Sequence, residues 1–107
     1  MRLVEDVYKL SRVFPREELY GLTSQLRRAI VSVPANIAEG HGRNTPRDYA
    51  KHISIAKGSL LESATLVEIA GRLGYVDVRT SQPIIFEAAQ LERMLSVLRQ
   101  RLLEKES

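Results

Sequence analysis

Gln25-Leu-Arg-Arg-Ala-Ile-Val-Ser-Val-Pro-Ala-Asn-Ile-Ala-Glu-Gly-His-Gly-Arg43 decides the fold. At about 100° per residue, the helical period, this stretch and the residues before it sort into strips. Leu19, Leu22, Leu26, Ile30, Val33 and Ile37 share one side, an apolar stripe of the width that a bundle core needs. Gln25, Arg28, Ser32, Asn36 and Glu39 share another, three or four residues apart, so neighbours along this polar line can touch. A third strip holds Val31, Ala35 and Ala38, edged by Tyr20 and Arg27. On a lone surface helix that strip would be charged. Here it is small or apolar, so a second contact surface is expected there, formed by another subunit.

Outward from this stretch the chain reads as three more helices. Leu3, Val7, Leu10 and Phe14 repeat at heptad spacing over a short first helix, residues 1–13. Phe14-Pro15 ends it, because a residue before proline is driven out of the helical region. Glu17 and Glu18 are expected in the first turn of helix two, where negative charge suits the helix dipole. Pro34 is expected to kink helix two rather than stop it, since the stripe continues through Ile37. Gly40 is the expected left-handed cap at its end.

Thr45-Pro-Arg-Asp48 opens helix three, with Thr45 as N-cap, Pro46 at the first helical position and Asp48 completing the capping box. Tyr49, Ile53, Ala56, Leu60, Ala64 and Val67 form one stripe; Ile55, Leu66, Ile69 and Leu73 form a second. A helix apolar on two sides is buried on two sides, which again argues for an oligomer. Gly74 ends it. Helix four starts near Asp77 or Ser81 and runs to about Glu104, with Pro83 in its first turns. Ile84, Ala88, Leu91, Leu95, Leu98 and Leu102 keep a regular seam.

The blocks Phe14-Pro-Arg-Glu-Glu-Leu-Tyr-Gly-Leu-Thr-Ser-Gln-Leu-Arg-Arg-Ala29 and Asn36-Ile-Ala-Glu-Gly-His-Gly-Arg43 resemble the signature of a bacterial four-helix-bundle family. Its members are reading frames in intervening sequences of 23S ribosomal RNA genes. Gly58-Ser-Leu-Leu-Glu62 and Leu73-Gly-Tyr75 match later parts of that pattern in order, so the resemblance covers residues 4–100. It implies a four-helix bundle assembling as a ring, typically a pentamer, with no enzyme activity. A related family, the accessory variability protein of diversity-generating retroelements, is a similar pentameric bundle that implies RNA and a reverse transcriptase as partners. Family members typically start the first helix earlier than this chain does. Either the first helix is short or the start is truncated, and the first groove is then expected to be partly open or filled by a neighbour.

The expected fold is all-α: an antiparallel up-down four-helix bundle with a short first helix, one domain over residues 1–107, assembling as a homo-oligomeric ring. The 107 residues suffice for a single core. There is no cysteine, which excludes disulfides and thiolate metal sites. No apolar run approaches the length of a membrane span and no signal-peptide core is present, so the expected compartment is the cytoplasm.

Chemistry-bearing motifs are sparse. Asp48 and His52 face each other at helical spacing, but one pair supplies too few ligands for a metal, and the Glu-x-x-His pattern of di-iron bundles is missing. There is no G-x-S-x-G. The turn Gly40-His-Gly-Arg43 lacks the Gly-Lys-Ser/Thr ending of a phosphate loop and reads as a helix terminator. No cofactor and no catalytic residue is expected, and the protein reads as a non-enzyme.

The polar line Gln25, Arg28, Ser32, Asn36 and Glu39 has two readings. It is a hydrogen-bonded seam between helices or subunits, with Arg28 paired to Glu39 or Glu62, or it is an accessible surface for RNA or a protein. Residues 1–53 hold nine Lys/Arg against six Asp/Glu, and residues 54–107 hold seven against seven, so the net +3 lies in the first half. Arg27, Arg43, Arg47 and Lys51 are the candidate nucleic-acid residues, expected to cluster where helix two ends and helix three begins. Tyr20 and Tyr49 are the nearby aromatics and both are expected in the core. Sequence-specific base stacking is therefore not expected. The expected function is an adaptor that binds structured RNA through a basic surface. The alternative is a protein–protein scaffold with no nucleic-acid role.

Overall fold

The computed structural model describes residues 1–106. Four helices account for most of the chain: α1 (Arg2–Ser11), α2 (Leu22–His41), α3 (Pro46–Arg72) and α4 (Val78–Glu104). A single 3-10 turn, Arg16–Glu18, lies between α1 and α2, and no strand occurs among the described residues. Helices adjacent in sequence are adjacent in space, and α1 also packs on α4. At about 1.5 Å per residue, the 27-residue α3 and α4 are each roughly 40 Å long. They set the 48 × 24 × 18 Å shape. The radius of gyration is 15.0 Å, against about 13 Å for a rounder domain of this length.

The heptads meet in one core. Leu3, Val7, Leu10 and Phe14 are buried, as are Leu26, Ile30 and Val33 of α2. Ile53, Ala56, Leu60 and Val67 of α3 and Ile84, Ala88, Leu95 and Leu102 of α4 complete it. Leu22, Ile37, Tyr49, Leu91 and Leu98 pack against this core partly buried. Each fully buried Leu or Ile contributes about 1.5–3 kcal/mol of transfer free energy, so the stripes dominate the stability of the chain.

Helix ends follow local chemistry. Thr45 accepts the Asp48 amide at 3.1 Å, with Pro46 behind it, as the capping pattern predicts. Asp77 accepts the Arg79 amide at 2.8 Å and opens α4. Gly74 takes φ 78°, and the amides of Tyr75 and Gly74 close on the carbonyls of Ala70 and Gly71 at 2.9 and 3.1 Å. That pair of bonds is a Schellman cap, which needs a left-handed residue at this position. Helix α2 runs through Pro34 and α4 through Pro83 without ending.

Two sequence expectations differ here. Glu17 and Glu18 do not lie inside helix two; they form the 3-10 turn, and α2 begins at Leu22 after Gly21. Glu18 still serves the helix from outside, accepting the Leu22 amide at 3.1 Å. Gly40 is not a left-handed cap, since Gly74 is the one glycine with positive φ among the described residues. The helix continues to His41, and Gly40 is buried where α2 meets α3. A Cβ there would lie 2.8 Å from His52 Cβ and from Tyr49 Cδ1. Glycine is present for close helix approach, not for turn geometry.

Candidate nucleic-acid interface

The polar line divides between contact with α3 and open surface. Gln25 Nε2 donates to Glu62 at 3.1 Å, and Ser59 Oγ donates to Ser32 Oγ at 2.9 Å. Asn36 Nδ2 donates to Ser32 O and Oγ at 2.9 and 3.0 Å. With both amide protons directed at Ser32, Asn36 Oδ1 faces His52 Nδ1 at 3.3 Å, so that ring nitrogen carries the proton. These linked bonds tie α2 to α3. His52 is half-buried in this seam, while His41 is exposed and meets the Tyr49 ring edge-on at 5.9 Å.

The expected Arg28–carboxylate pair does not form among the described residues. Glu62 receives Gln25, and Glu39 receives Arg43 at 2.8 Å. Arg28 is exposed and makes no hydrogen bond or ion pair among the described residues. It lines a surface groove with Tyr8, Leu19, Tyr20, Arg27 and Val31. Tyr20 is 93% exposed rather than in the core, and Leu19 at the start of the apolar stripe is also exposed. Tyr49 is partly buried against the core.

The four candidate cations do not cluster as expected. Arg27 lies 14 residues before the end of α2 at His41, about 21 Å along the axis. Its Nε donates to Ser11 Oγ at 2.8 Å, and its guanidinium sits 5.0 Å from the Tyr8 ring centroid. Arg27 therefore fastens α1 to α2. Arg43 is half-neutralised by Glu39 in an exposed pair one helical turn away, of the kind that contributes about 0–1 kcal/mol. Arg47 and Lys51 remain exposed and together.

Helix α4 supplies a cation that the sequence does not single out. Arg99 Nε donates to Ser54 Oγ at 2.6 Å, across 45 residues. Arg47, Lys51, Ser54 and Arg99 thereby line one groove of ≈ 440 Å³ between α3 and α4, with Asp48, Ala50 and Leu103. Asp48 is the single acid among those residues. None of the three cations is in an ion pair among the described residues. The backbone amide of Arg47 is already taken by Glu106 Oε1 at 3.0 Å. No local spacing links Ser54 to Arg99; the run of Arg99, Arg101 and Lys105 at the end of α4, the first half-buried and the other two exposed, is the one signal the sequence offers.

One tyrosine is electrostatically displaced. Tyr75 donates to Glu18 Oε2 at 2.8 Å and meets the Phe14 ring at 5.9 Å. That hydrogen bond, with desolvation and the negative charges of Glu18 and Glu17, raises the phenol above the ordinary tyrosine value. Among the described residues no group of three or more His, Asp and Glu is placed to hold a metal. Among them, too, no helix is long and apolar enough to cross a membrane.

No curated protein matches the chain significantly. A family model described as 23S rRNA-intervening sequence protein matches residues 1–97, all but the last ten residues. The four-helix architecture is consistent with that match. The chain belongs to the 23S rRNA-intervening sequence protein family.

Proposed function

We propose that the protein is a non-enzymatic scaffold that assembles with copies of itself into a ring, a pentamer as the resemblance implies, and engages structured RNA through a basic surface. The observation that carries this reading is apolar exposure on two separate sides of the bundle. On the α1–α2 side, Leu19, Tyr20 and Val31 stand open around Arg28. On the α3–α4 side, Leu61 is 67% exposed in a groove with Gly58, Ala89 and Arg93, and Phe86 is 61% exposed on the next turn. Two different patches on one chain suit a head-to-tail contact, which closes into a ring when its rotation permits. The α2–α3 bonds pair 25 with 62, 32 with 59 and 36 with 52, an order that supports the antiparallel up-down arrangement.

The test is mass and binding together. Light scattering should give a mass several times 12.1 kDa, and Val31→Glu should reduce it to one chain with helicity retained. Wild type should bind duplex RNA more weakly as salt rises from ~50 to ~200 mM. A folded wild-type monomer at micromolar concentration would remove the ring. A second reading, a protein-interaction scaffold without nucleic acid, is favoured by the engagement of Arg27 with α1 and of Arg43 with Glu39. It gains if assembly is found without RNA binding.

A further inference from the structure

We propose that the α3–α4 groove at Arg47, Lys51 and Arg99 is a site for the phosphodiester backbone of RNA, with Arg99 as its clamp and Ser54 as the residue that positions it. The inference rests on the nucleic-acid reading above. It starts from three cations that line one groove without a carboxylate partner among the described residues. With Asp48 the one acid lining the groove, positive charge is in excess there, and a bound anion offsets it.

The geometry favours phosphate over carboxylate or a metal. Ser54 Oγ takes the Arg99 Nε proton at 2.6 Å. Among the described residues the two terminal nitrogens of the guanidinium have their donors unspent, and they present the planar fork that matches two phosphate oxygens. Ser54 fixes the plane of that fork, so little side-chain freedom is lost on binding. Arg47 and Lys51 are four residues apart on α3, about 6 Å along the axis. That separation is comparable to the distance between successive phosphates of one strand. The groove volume of ≈ 440 Å³ holds a phosphate with several waters, at roughly 30 Å³ per water. The helix end is not part of the site, because Glu106 already occupies the Arg47 amide.

Backbone recognition also follows from what the groove lacks. It has no aromatic side chain on which a base could stack. The contacts available are to phosphate, which position a nucleic acid without reading its sequence.

The experiment is fluorescence anisotropy of a labelled duplex RNA against the intact assembly, titrated across salt. Arg99→Gln should weaken binding roughly tenfold, and should lower the slope of log K against log salt by about 0.9 for each phosphate no longer neutralised. Arg99→Lys keeps the charge and loses the fork; it should weaken binding at an unchanged slope. Ser54→Ala should do the same, and Ser54→Thr should restore affinity. Arg72→Gln serves as control, an exposed arginine at the far end of α3, about 32 Å from Lys51. Inorganic phosphate should compete only at concentrations far above the RNA. Salt-dependent binding by wild type that Arg99→Gln and Lys51→Gln leave unchanged would overturn this site and leave the RNA reading standing. No binding by wild type at ~50 mM salt would overturn both. Equal losses for Arg72→Gln and Arg99→Gln would also overturn it, because the effect would then be net charge alone.

Discussion

The phenol of Tyr75, just past the end of α3, donates to the carboxylate of Glu18 at 2.8 Å, and the same carboxylate accepts the first amide of α2 at 3.1 Å. One side chain thus joins the α3–α4 turn to the start of α2. The Tyr75 value is raised, so the folded state holds the phenolic proton more tightly than the unfolded chain does. The stabilisation is fully present below the unfolded value, about 10, and is lost as pH rises through the folded value. Tyr75→Phe should lower the urea midpoint at pH 7. The gap between variant and wild type should close at pH above ~10. A gap that persists unchanged into strong alkali would assign the loss to packing against Phe14.

Two glycines in helices should respond oppositely to alanine. At Gly40 the new Cβ meets His52 and Tyr49 side chains at 2.8 Å and the Tyr49 carbonyl at 3.2 Å. Overpacking of this kind costs about 1–3 kcal/mol, against a helix-propensity gain of about 1 kcal/mol. Gly40→Ala should therefore destabilise. At Gly58 nothing lies within 4 Å of the new atom. Gly58→Ala should stabilise the single chain by about 0.5–1 kcal/mol. Chemical unfolding of both variants on the Val31→Glu background separates these effects from assembly.

Arg27 is expected to act on α1 and not on RNA. Its bonds to Ser11 and the Tyr8 ring are the polar hold of α2 on a helix of only 10 residues. Arg27→Ala should cost about 1–2 kcal/mol, a charged hydrogen bond and a cation–π contact at a half-buried site. Hydrogen exchange should show α1 losing protection first. RNA affinity at matched assembly should stay at the wild-type value.

Arg28 stands on the opposite footing. It is exposed and unpaired among the described residues, so Arg28→Ala should change the stability of the isolated chain by less than about 0.5 kcal/mol. Its effect should fall on assembly, read as a mass shift on dilution. A fall of several kcal/mol in the monomeric background would return Arg28 to a buried role.

The core is legible in the sequence because its period is local. Leu3–Phe14 and Ile84–Leu102 keep their spacing whatever the tertiary partner, and Thr45–Asp48 and Gly74 carry their own capping chemistry. Tyr20 and Leu19 fall outside the core because helix two does not run unbroken from Glu17. The break at Gly21 resets the phase, and residues before it leave the stripe. Gly40 is not legible, because close approach belongs to two helices at once. Arg99 escapes sequence reasoning for the same reason: its partner Ser54 lies on another helix, 45 residues away. Arg27 carries a charge consistent with a basic surface, and only the proximity of Ser11 and Tyr8 shows it engaged elsewhere.

The order in which the helices pack has a consequence for how fast the molecule forms. The α2–α3 and α3–α4 contacts join neighbours across short turns, the low-contact-order topology that folds in microseconds to milliseconds. Docking of α1 on α4 is different, since its Arg2–Glu87 pair spans 85 residues. A loop of that length closes only after the three long helices offer a surface to close on. Stopped-flow refolding should therefore be slowed by Ile53→Val in the α2–α3–α4 part. Val7→Ala should leave refolding nearly unchanged and speed unfolding instead. Helix α1 is then the last to join the folded molecule and the first to leave it.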